Sequence, residues 1–139
     1  MSKQSWENKK LSDLGEIVTG QTPKTKVDEY YDGNYMIVRP SDIDYDHYKC
    51  RNTEKTVTER ARREHENRFI PARSVMYTCI ASIGKCAIST STCITNQQIN
   101  SIVTNGQNDY RFVYYLLRYS TPYIKKQAGG TATAIINKT

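Results

Sequence analysis

Apolar residues recur along the chain in short runs that polar loops separate, a pattern typical of β-strands. Between residues 74 and 103, the segments SVMYTCIAS, KCAIST and QINSIV are rich in β-branched residues, and turn-forming stretches divide them. An earlier apolar run ends at Pro40, which cannot donate a hydrogen bond to a sheet. The pattern predicts strands at 16–19, 35–39, 74–80, 85–90 and 98–103.

Two segments carry helical patterns. TERARREHEN (58–67) combines helix formers with mixed charge and has Thr58 as N-cap, so it predicts a helix that lies mostly in solvent. A second helix is expected near 110–119 after the N-cap residue Asp109, with its core-facing side chains at helical spacing: Phe112, Val113, Leu116 and Leu117. Ser120, Thr121 and Pro122 are expected to break this helix and start another, which AGGT (128–131) would end.

These elements predict an α+β fold in which a curved, mostly antiparallel sheet packs against a few helices, chiefly the one near 110–119. The length of 139 residues fits a single domain over 1–139. Lys and Arg number 20 against 14 Asp and Glu, and the net charge of +6 favours a polyanionic partner. The 11 tyrosines suit half-buried surfaces and polar interfaces.

The four cysteines lack the spacing of a metal site. Cys50, Cys79, Cys86 and Cys93 form no C-x-x-C pair, so we expect buried free thiols and no bound metal. The first ten residues, MSKQSWENKK, contain no apolar stretch that resembles a signal peptide, and no run approaches a membrane span. A cytoplasmic protein with reduced thiols is therefore expected.

The enzymatic signatures in the chain are weak. SIGK (82–85) matches the S-x-x-K of serine acyl enzymes, but Gly84 lies between β segments and predicts a tight turn instead. Asp42, Asp44 and Asp46 alternate as in a cation site, yet they lack the closing glutamate and the bend glycine of a calcium loop. No glycine-rich phosphate loop is present, so we predict no catalytic residues.

Several motifs follow one another in a characteristic order. They are, in chain order, Trp6, Leu11, Leu14, Ile17 and GQTP (20–23); Ile37 to Ile43, which reads IVRPSDI; SIGKCA (82–87); TNQQI (95–99); the Tyr- and Leu-rich segment 114–118; and GGT (129–131). In this order, from residue 6 to about 137, the chain resembles a target recognition domain of the specificity subunits of type I restriction-modification systems.

The resemblance implies a non-catalytic domain that binds double-stranded DNA and reads one half of a bipartite site. The partners it implies are a type I methyltransferase subunit and, through the complex, a restriction subunit. S-adenosylmethionine belongs to the methyltransferase, so no cofactor is expected on this chain. Family members continue into a long helix where this chain stops near Thr139, which predicts a truncated or excised domain.

Candidate DNA contacts follow from side-chain chemistry. Cations at loop ends suit phosphates, and Asn, Gln and Arg suit base edges in the major groove. The phosphate candidates also include Lys125 and Lys126. The predicted DNA-binding residues are Gln21, Thr22, Lys24, Lys26, Arg39, Ser41, Tyr45, His47, Lys49, Arg51, Lys85, Asn96, Gln97, Gln98, Gly130 and Thr131. They are expected to share one side of the folded domain, where they would form a cradle for a duplex.

Plainer interpretations stay open for these residues. Asn96 and Gln97 can simply satisfy backbone groups in a turn, and GQTP and GGT can be ordinary turns. Segment 58–68 can be a solvated helix whose arginines contact no DNA. For the whole chain, the alternative is a protein-interaction or decoy domain that acts on the methyltransferase subunit, and a small nuclease or ligase ranks last.

Overall fold

A computed structural model describes residues 13–44, 47–80, 83–105 and 109–128. These residues form nine strands, two α-helices and three short 3-10 turns. The strands are β1 (Gly15–Thr19), β2 (Tyr31–Val38), β3 (Lys49–Cys50), β4 (Lys55–Val57), β5 (Phe69–Ile70), β6 (Val75–Thr78), β7 (Cys86–Ser89), β8 (Cys93–Thr95) and β9 (Ile99–Thr104). The helices are α1 (Glu59–Glu64) and α2 (Tyr110–Ala128), and the 3-10 turns are Asp28–Tyr30, Pro40–Asp42 and Glu66–Arg68.

The strands build two sheets rather than the single sheet that the sequence predicts. Sheet A has the order β1-β9-β6-β7-β3, and sheet B has the order β4-β2-β8-β5. Most neighbours are antiparallel, but β2 pairs with β8 in parallel, and so does β3 with β7. The α+β class is confirmed. The single sheet is wrong, because a strand's own pattern shows which face is buried but not which strand it pairs with.

The layers run in the order α2, sheet A, sheet B, α1. Val75 and Tyr77 of β6 lie in the cluster under α2, whereas Met76 lies with Val38 of sheet B. In β2 the next residue back, Ile37, turns to the opposite face and packs with Ala61 of α1. This alternation along both strands shows that each sheet is covered on both faces.

Helix α1 has the cap and exposure that its sequence predicts. The Ala61 amide donates to Thr58 Oγ1 at 3.3 Å, and Ala61 is the buried residue of the helix. Arg60 pairs with Glu64 at 2.8 Å, and Arg62 pairs with Glu59 at 3.5 Å. The charges on this helix are therefore largely matched within the helix itself, as a solvated helix requires.

Helix α2 continues through the predicted break at Pro122. Proline leaves the Arg118 carbonyl without its helical N–H donor, a local defect in the helix. Packing keeps the helix continuous across this point, because Ile124 is buried and the Tyr77 hydroxyl lies 2.8 Å from Thr121 Oγ1. Tertiary contacts thus override the local signal, and residues 129–131, predicted to end the helix, lie outside the described residues.

The buried stripe of α2 differs partly from the predicted face. Val113 and Leu117 are buried as predicted and Leu116 is half-buried, but Phe112 is exposed. Tyr114 is buried in its place, because a helix with Val113 and Leu117 against the sheet turns position 114 inward and position 112 outward. Neither this helix nor α1 is long and apolar enough to cross a membrane.

All four cysteines are free and buried, as the sequence predicts. Cys86 and Cys93 open strands β7 and β8, and Cys79 directly follows β6. Burial raises the pKa of the Cys50 thiol to about 11 and that of Cys93 to about 12. The folded protein therefore keeps these thiols protonated in a pH range where the unfolded chain ionises them.

Replacing Pro122 with alanine should stabilise the protein by about 1–3 kcal/mol, because alanine restores a donor to the Arg118 carbonyl and favours the helix. Urea unfolding of the two proteins measures the difference. Ser120→Ala, also within α2, restores no hydrogen bond and should change stability much less. An unchanged or lower stability of Pro122→Ala would contradict a continuous helix at this point.

Cys93→Ala should reduce the loss of stability at alkaline pH. The raised pKa stabilises the fold fully below the unfolded value near ~8.5, and this contribution disappears as pH rises toward about 12. Chemical denaturation at a series of pH values above 8 would show a shallower decline for the variant.

Ile94→Val is the matched control, because it trims an adjacent buried side chain without removing a titrating group. It should lower stability at every pH and keep the wild-type slope. Equal slopes for Cys93→Ala and wild type would show that this thiol does not contribute to alkaline unfolding.

Candidate nucleic-acid interface

The parallel pairing of β2 with β8 brings two predicted DNA-contacting segments to one edge of sheet B. Val38 pairs with Thr95 at the end of both strands, so Arg39 and Asn96 leave the sheet side by side. The Asn96 amide donates to the Val38 carbonyl at 2.9 Å and locks the two segments together. An antiparallel pairing would have placed these two segments at opposite ends of the strands.

The GQTP loop after β1 joins the same edge through three hydrogen bonds. The Gly20 amide donates to the Ile99 carbonyl at 3.1 Å, and the Gln21 amide donates to the Thr95 carbonyl at 2.9 Å. The Thr22 hydroxyl donates to Gln97 Oε1 at 2.8 Å. The side chains of Gln21, Thr22 and Gln97 are all exposed, and we call this surface the amide rim.

Gly20 is required by the close approach of the two loops. A Cβ atom at this position would lie 2.0 Å from the Asn96 carbonyl oxygen and 2.2 Å from Thr95 Oγ1. No larger residue fits without separating the loops. The glycine of GQTP therefore serves the joining of two loops, a role that goes beyond a simple turn.

Asn96 takes part in the turn itself. Its Oδ1 accepts the Gln98 amide at 3.0 Å, and its backbone carbonyl accepts the Ile99 amide at 3.2 Å. Gln98 is partly buried, and its carbonyl accepts the Cys79 amide at 3.1 Å. The plainer interpretation, satisfaction of backbone groups, therefore describes Asn96, whereas the Gln97 side chain is exposed.

Arg39 lies between two carboxylates. Asp42 closes the 3-10 turn Pro40–Asp42, and its Oδ2 accepts the Arg39 amide at 3.0 Å. The guanidinium Nη2 lies 3.1 Å from Glu54 Oε1, and Nε lies 3.7 Å from Asp42 Oδ2. The hydrogen bond to Glu54 is the main cause of the raised pKa of Arg39. Both carboxylates thus partner the Arg39 side chain, and the contact with Glu54 is the shorter of the two.

Lys85 connects this edge to sheet A. Its Nζ donates to the Pro40 carbonyl at 3.0 Å, and its backbone amide donates to Thr78 Oγ1 at 2.9 Å. Gly84 has a φ of 104° and its amide donates to the Thr78 carbonyl at 3.1 Å, which confirms a tight turn at this point of SIGK. Ser82 lies outside the described residues.

The remaining predicted contacts are more widely spread. Lys24 and Lys26 are exposed in the loop before β2, and Ser41 is exposed in the turn beside Arg39. His47 Nδ1 lies 3.0 Å from Asp44 Oδ2, Lys49 Nζ lies 5.4 Å from the Tyr48 ring centroid, and Arg51 is exposed after β3. Tyr45, Gly130 and Thr131 lie outside the described residues, as does Asp46 of the alternating acids.

The structure brings together part of the predicted cradle: Gln21, Thr22, Arg39, Lys85, Asn96 and Gln97. Sequence reasoning missed the two acids that position Arg39. Asp42 had a local signal, since an acid two residues after a proline suits the end of a capped turn. Glu54 had none, because only the folded chain brings it to Arg39. Within the described ranges no group of His, Cys, Asp and Glu could hold a metal ion.

Comparison with known proteins identifies the family. The model of the type I restriction modification DNA specificity domain matches residues 3–139. The chain belongs to this family. The prediction of a non-catalytic domain for DNA sequence recognition is thereby confirmed.

Two specificity subunits are similar to this specificity domain in sequence. The HindI specificity subunit of Haemophilus influenzae is 34% identical over 135 residues, which cover 95% of this chain and 29% of that subunit. The MjaIX specificity subunit of Methanocaldococcus jannaschii is 33% identical over 129 residues, which cover 91% of this chain and 30% of that subunit. The chain thus spans less than a third of the length of these relatives.

Two solved structures share the fold of the specificity domain. The HsdS subunit from Thermoanaerobacter tengcongensis superposes with a TM-score of 0.59 at 16% identity, over 83% of this chain and 27% of that one. A chain from a study of complex assembly and conformational transition in the type I R-M system superposes with a TM-score of 0.65 at 14% identity, over 92% and 31% of the chains.

Gly20→Ala should destabilise the specificity domain by about 1–3 kcal/mol, because its methyl group would clash with the Asn96 carbonyl and force the loops apart. Urea unfolding measures the loss. Gln21→Ala is the matched control, since it trims an exposed neighbour and should change stability by less than about 0.5 kcal/mol. Similar stabilities for the two variants would show that the loops are not tightly joined.

Proposed function

We propose that this specificity domain reads one half of a bipartite duplex site for a type I restriction-modification complex, and that the amide rim supplies base contacts. The observation that carries the proposal is the joining of two loops through Thr22 and Gln97, which leaves exposed amides on a rigid edge. Rigid positioning favours recognition because the side chains lose less conformational entropy on binding.

The Thr22 hydrogen bond also sets how Gln97 meets a base. Because Oε1 of Gln97 accepts the hydroxyl proton, the amide nitrogen is oriented as the donor toward a ligand. Purine N7, guanine O6 and thymine O4 are the acceptors that the major groove displays to such a donor. Exposed Lys24 and Lys26 on the same loop, together with Arg39 in the adjacent turn, supply charge for phosphates.

The proposed partners follow from the family. Since the chain spans less than a third of its relatives, assembly with a type I methyltransferase subunit and, through the complex, with a restriction subunit is part of the proposal. A cytoplasmic location fits four free thiols.

A second candidate, a protein-interaction or decoy domain acting on the methyltransferase subunit, is favoured by the outer face of α2. Tyr115, Tyr119 and Tyr123 are 63%, 66% and 63% exposed and, with Phe112, recur at helical spacing. The same helix carries four basic residues and no acidic one, so an acidic protein surface would complement it.

Selection from random duplexes in moderate salt should enrich one short motif, and Gln97→Ala should relax the preference at one or two base pairs of it. A lost base contact corresponds to about 1–3 kcal/mol of discrimination. Lys26→Ala is the matched control for a phosphate contact. It should weaken binding to all sequences alike and lower the salt slope by about 1.

Different results would redirect the assignment. If the domain binds all duplexes with the same affinity and loses that binding as salt rises, only non-specific attraction to a basic surface remains. This result would contradict the proposed function. Absence of enrichment, combined with methyltransferase binding that Tyr119→Ala abolishes, would instead support the protein-interaction candidate.

A further inference from the structure

We propose that Glu54 is an internal competitor of DNA: its carboxylate occupies, in the free domain, the position on Arg39 that a DNA phosphate takes in the complex. This inference rests on the proposed function and adds a residue that tunes affinity. A carboxylate and a phosphate are both anions that present two oxygen atoms to the paired N–H donors of a guanidinium. One can therefore replace the other on the same arginine.

The two acids on Arg39 have different surroundings. The Asp42 side chain is 8% exposed and accepts two backbone amides, those of Arg39 at 3.0 Å and Glu54 at 3.1 Å. The Glu54 side chain is 72% exposed, although its backbone is held by Asp42. Asp42 therefore stabilises the backbone of the turn that carries Arg39, whereas the Glu54 carboxylate can leave without disturbing that turn.

The pair lies where a duplex would approach. Arg39 directly follows Val38, whose carbonyl accepts the Asn96 amide. Gln97 of the amide rim comes directly after Asn96 in the chain. Lys85 reaches the Pro40 carbonyl at 3.0 Å on the same turn. Glu54 thus places a negative charge beside the surface that is proposed to contact a polyanion, where it opposes binding of any duplex.

The ion pair is weak enough to be exchanged. Its glutamate is largely in solvent, where ion pairs contribute little and are screened by salt. A phosphate that replaces Glu54 gains a charge-assisted contact, while Asp42 stays 3.7 Å from the guanidinium Nε and keeps its hydrogen bonds to the backbone of the turn. Because every duplex offers phosphates, the exchange lowers affinity for target and unrelated DNA by the same factor.

The experiment compares Glu54→Gln with wild type in binding to a selected duplex and to a scrambled one, by fluorescence anisotropy at low and high salt. The variant should bind both duplexes about two- to fivefold more tightly at low salt, with unchanged preference, and the gain should shrink as salt rises. Tightening limited to one sequence would show that Arg39 reads a base, and would overturn the phosphate assignment.

Glu16→Gln is the matched control. It removes the same charge from an exposed position of β1. Glu16 lies three residues, or about 10 Å along the strand, before Thr19, where β1 ends and the GQTP loop begins. It should tighten binding distinctly less than Glu54→Gln does. Equal effects of the two variants would attribute the gain to net charge alone and overturn the inference.

A double substitution tests the dependence on Arg39. In an Arg39→Gln background, Glu54→Gln should have no more effect than Glu16→Gln, because the competed contact is gone. An undiminished gain would also overturn the inference. Should Arg39→Gln not fold, the comparison of Glu54→Gln with Glu16→Gln still decides. If the wild type binds duplex DNA and Glu54→Gln does not change that affinity, this inference alone is overturned. If the wild type binds no duplex, the proposed function is overturned.

Discussion

The parallel pairing of β2 with β8 is the constraint on which the candidate interface depends. Parallel neighbours end at the same edge of a sheet, so the segments that follow Val38 and Thr95 emerge together and share a hydrogen bond. The loop after β1 then attaches to the segment after β8, which requires Gly20. The polar edge of the specificity domain is thus built on backbone hydrogen bonds, with the exposed side chains of Gln21 and Gln97 carried on the joined loops.

Burial of both sheets on both faces explains why short strands suffice. Strand β6 is buried along its whole length, because α2 covers one face of sheet A and sheet B covers the other. The same packing keeps α2 continuous across Pro122 and encloses the free thiols. Dense packing of this kind leaves the loops as the part of the molecule that can vary without loss of the core.

The charges of the domain are not used uniformly. On α1, arginines are balanced by glutamates within the helix, so their contribution to a polyanion surface is small. At the edge of sheet B, Arg39 is held by one buried and one exposed acid. The net charge of +6 therefore says little about where a polyanion would bind, since part of it lies on arginines that are already paired with acids.

The sequence by itself determined the α+β class, the approximate positions of the longer strands, the Thr58 cap, the tight turn at Gly84 and, through ordered motifs, the family. These features depend on local periodicity, turn chemistry and residue order. Only the tertiary structure decided the division into two sheets, the parallel β2–β8 pair, the continuation of α2 past Pro122 and the meeting of Glu54 with Arg39. These depend on contacts between residues far apart in the chain, and no local pattern encodes which strand or side chain a residue will meet.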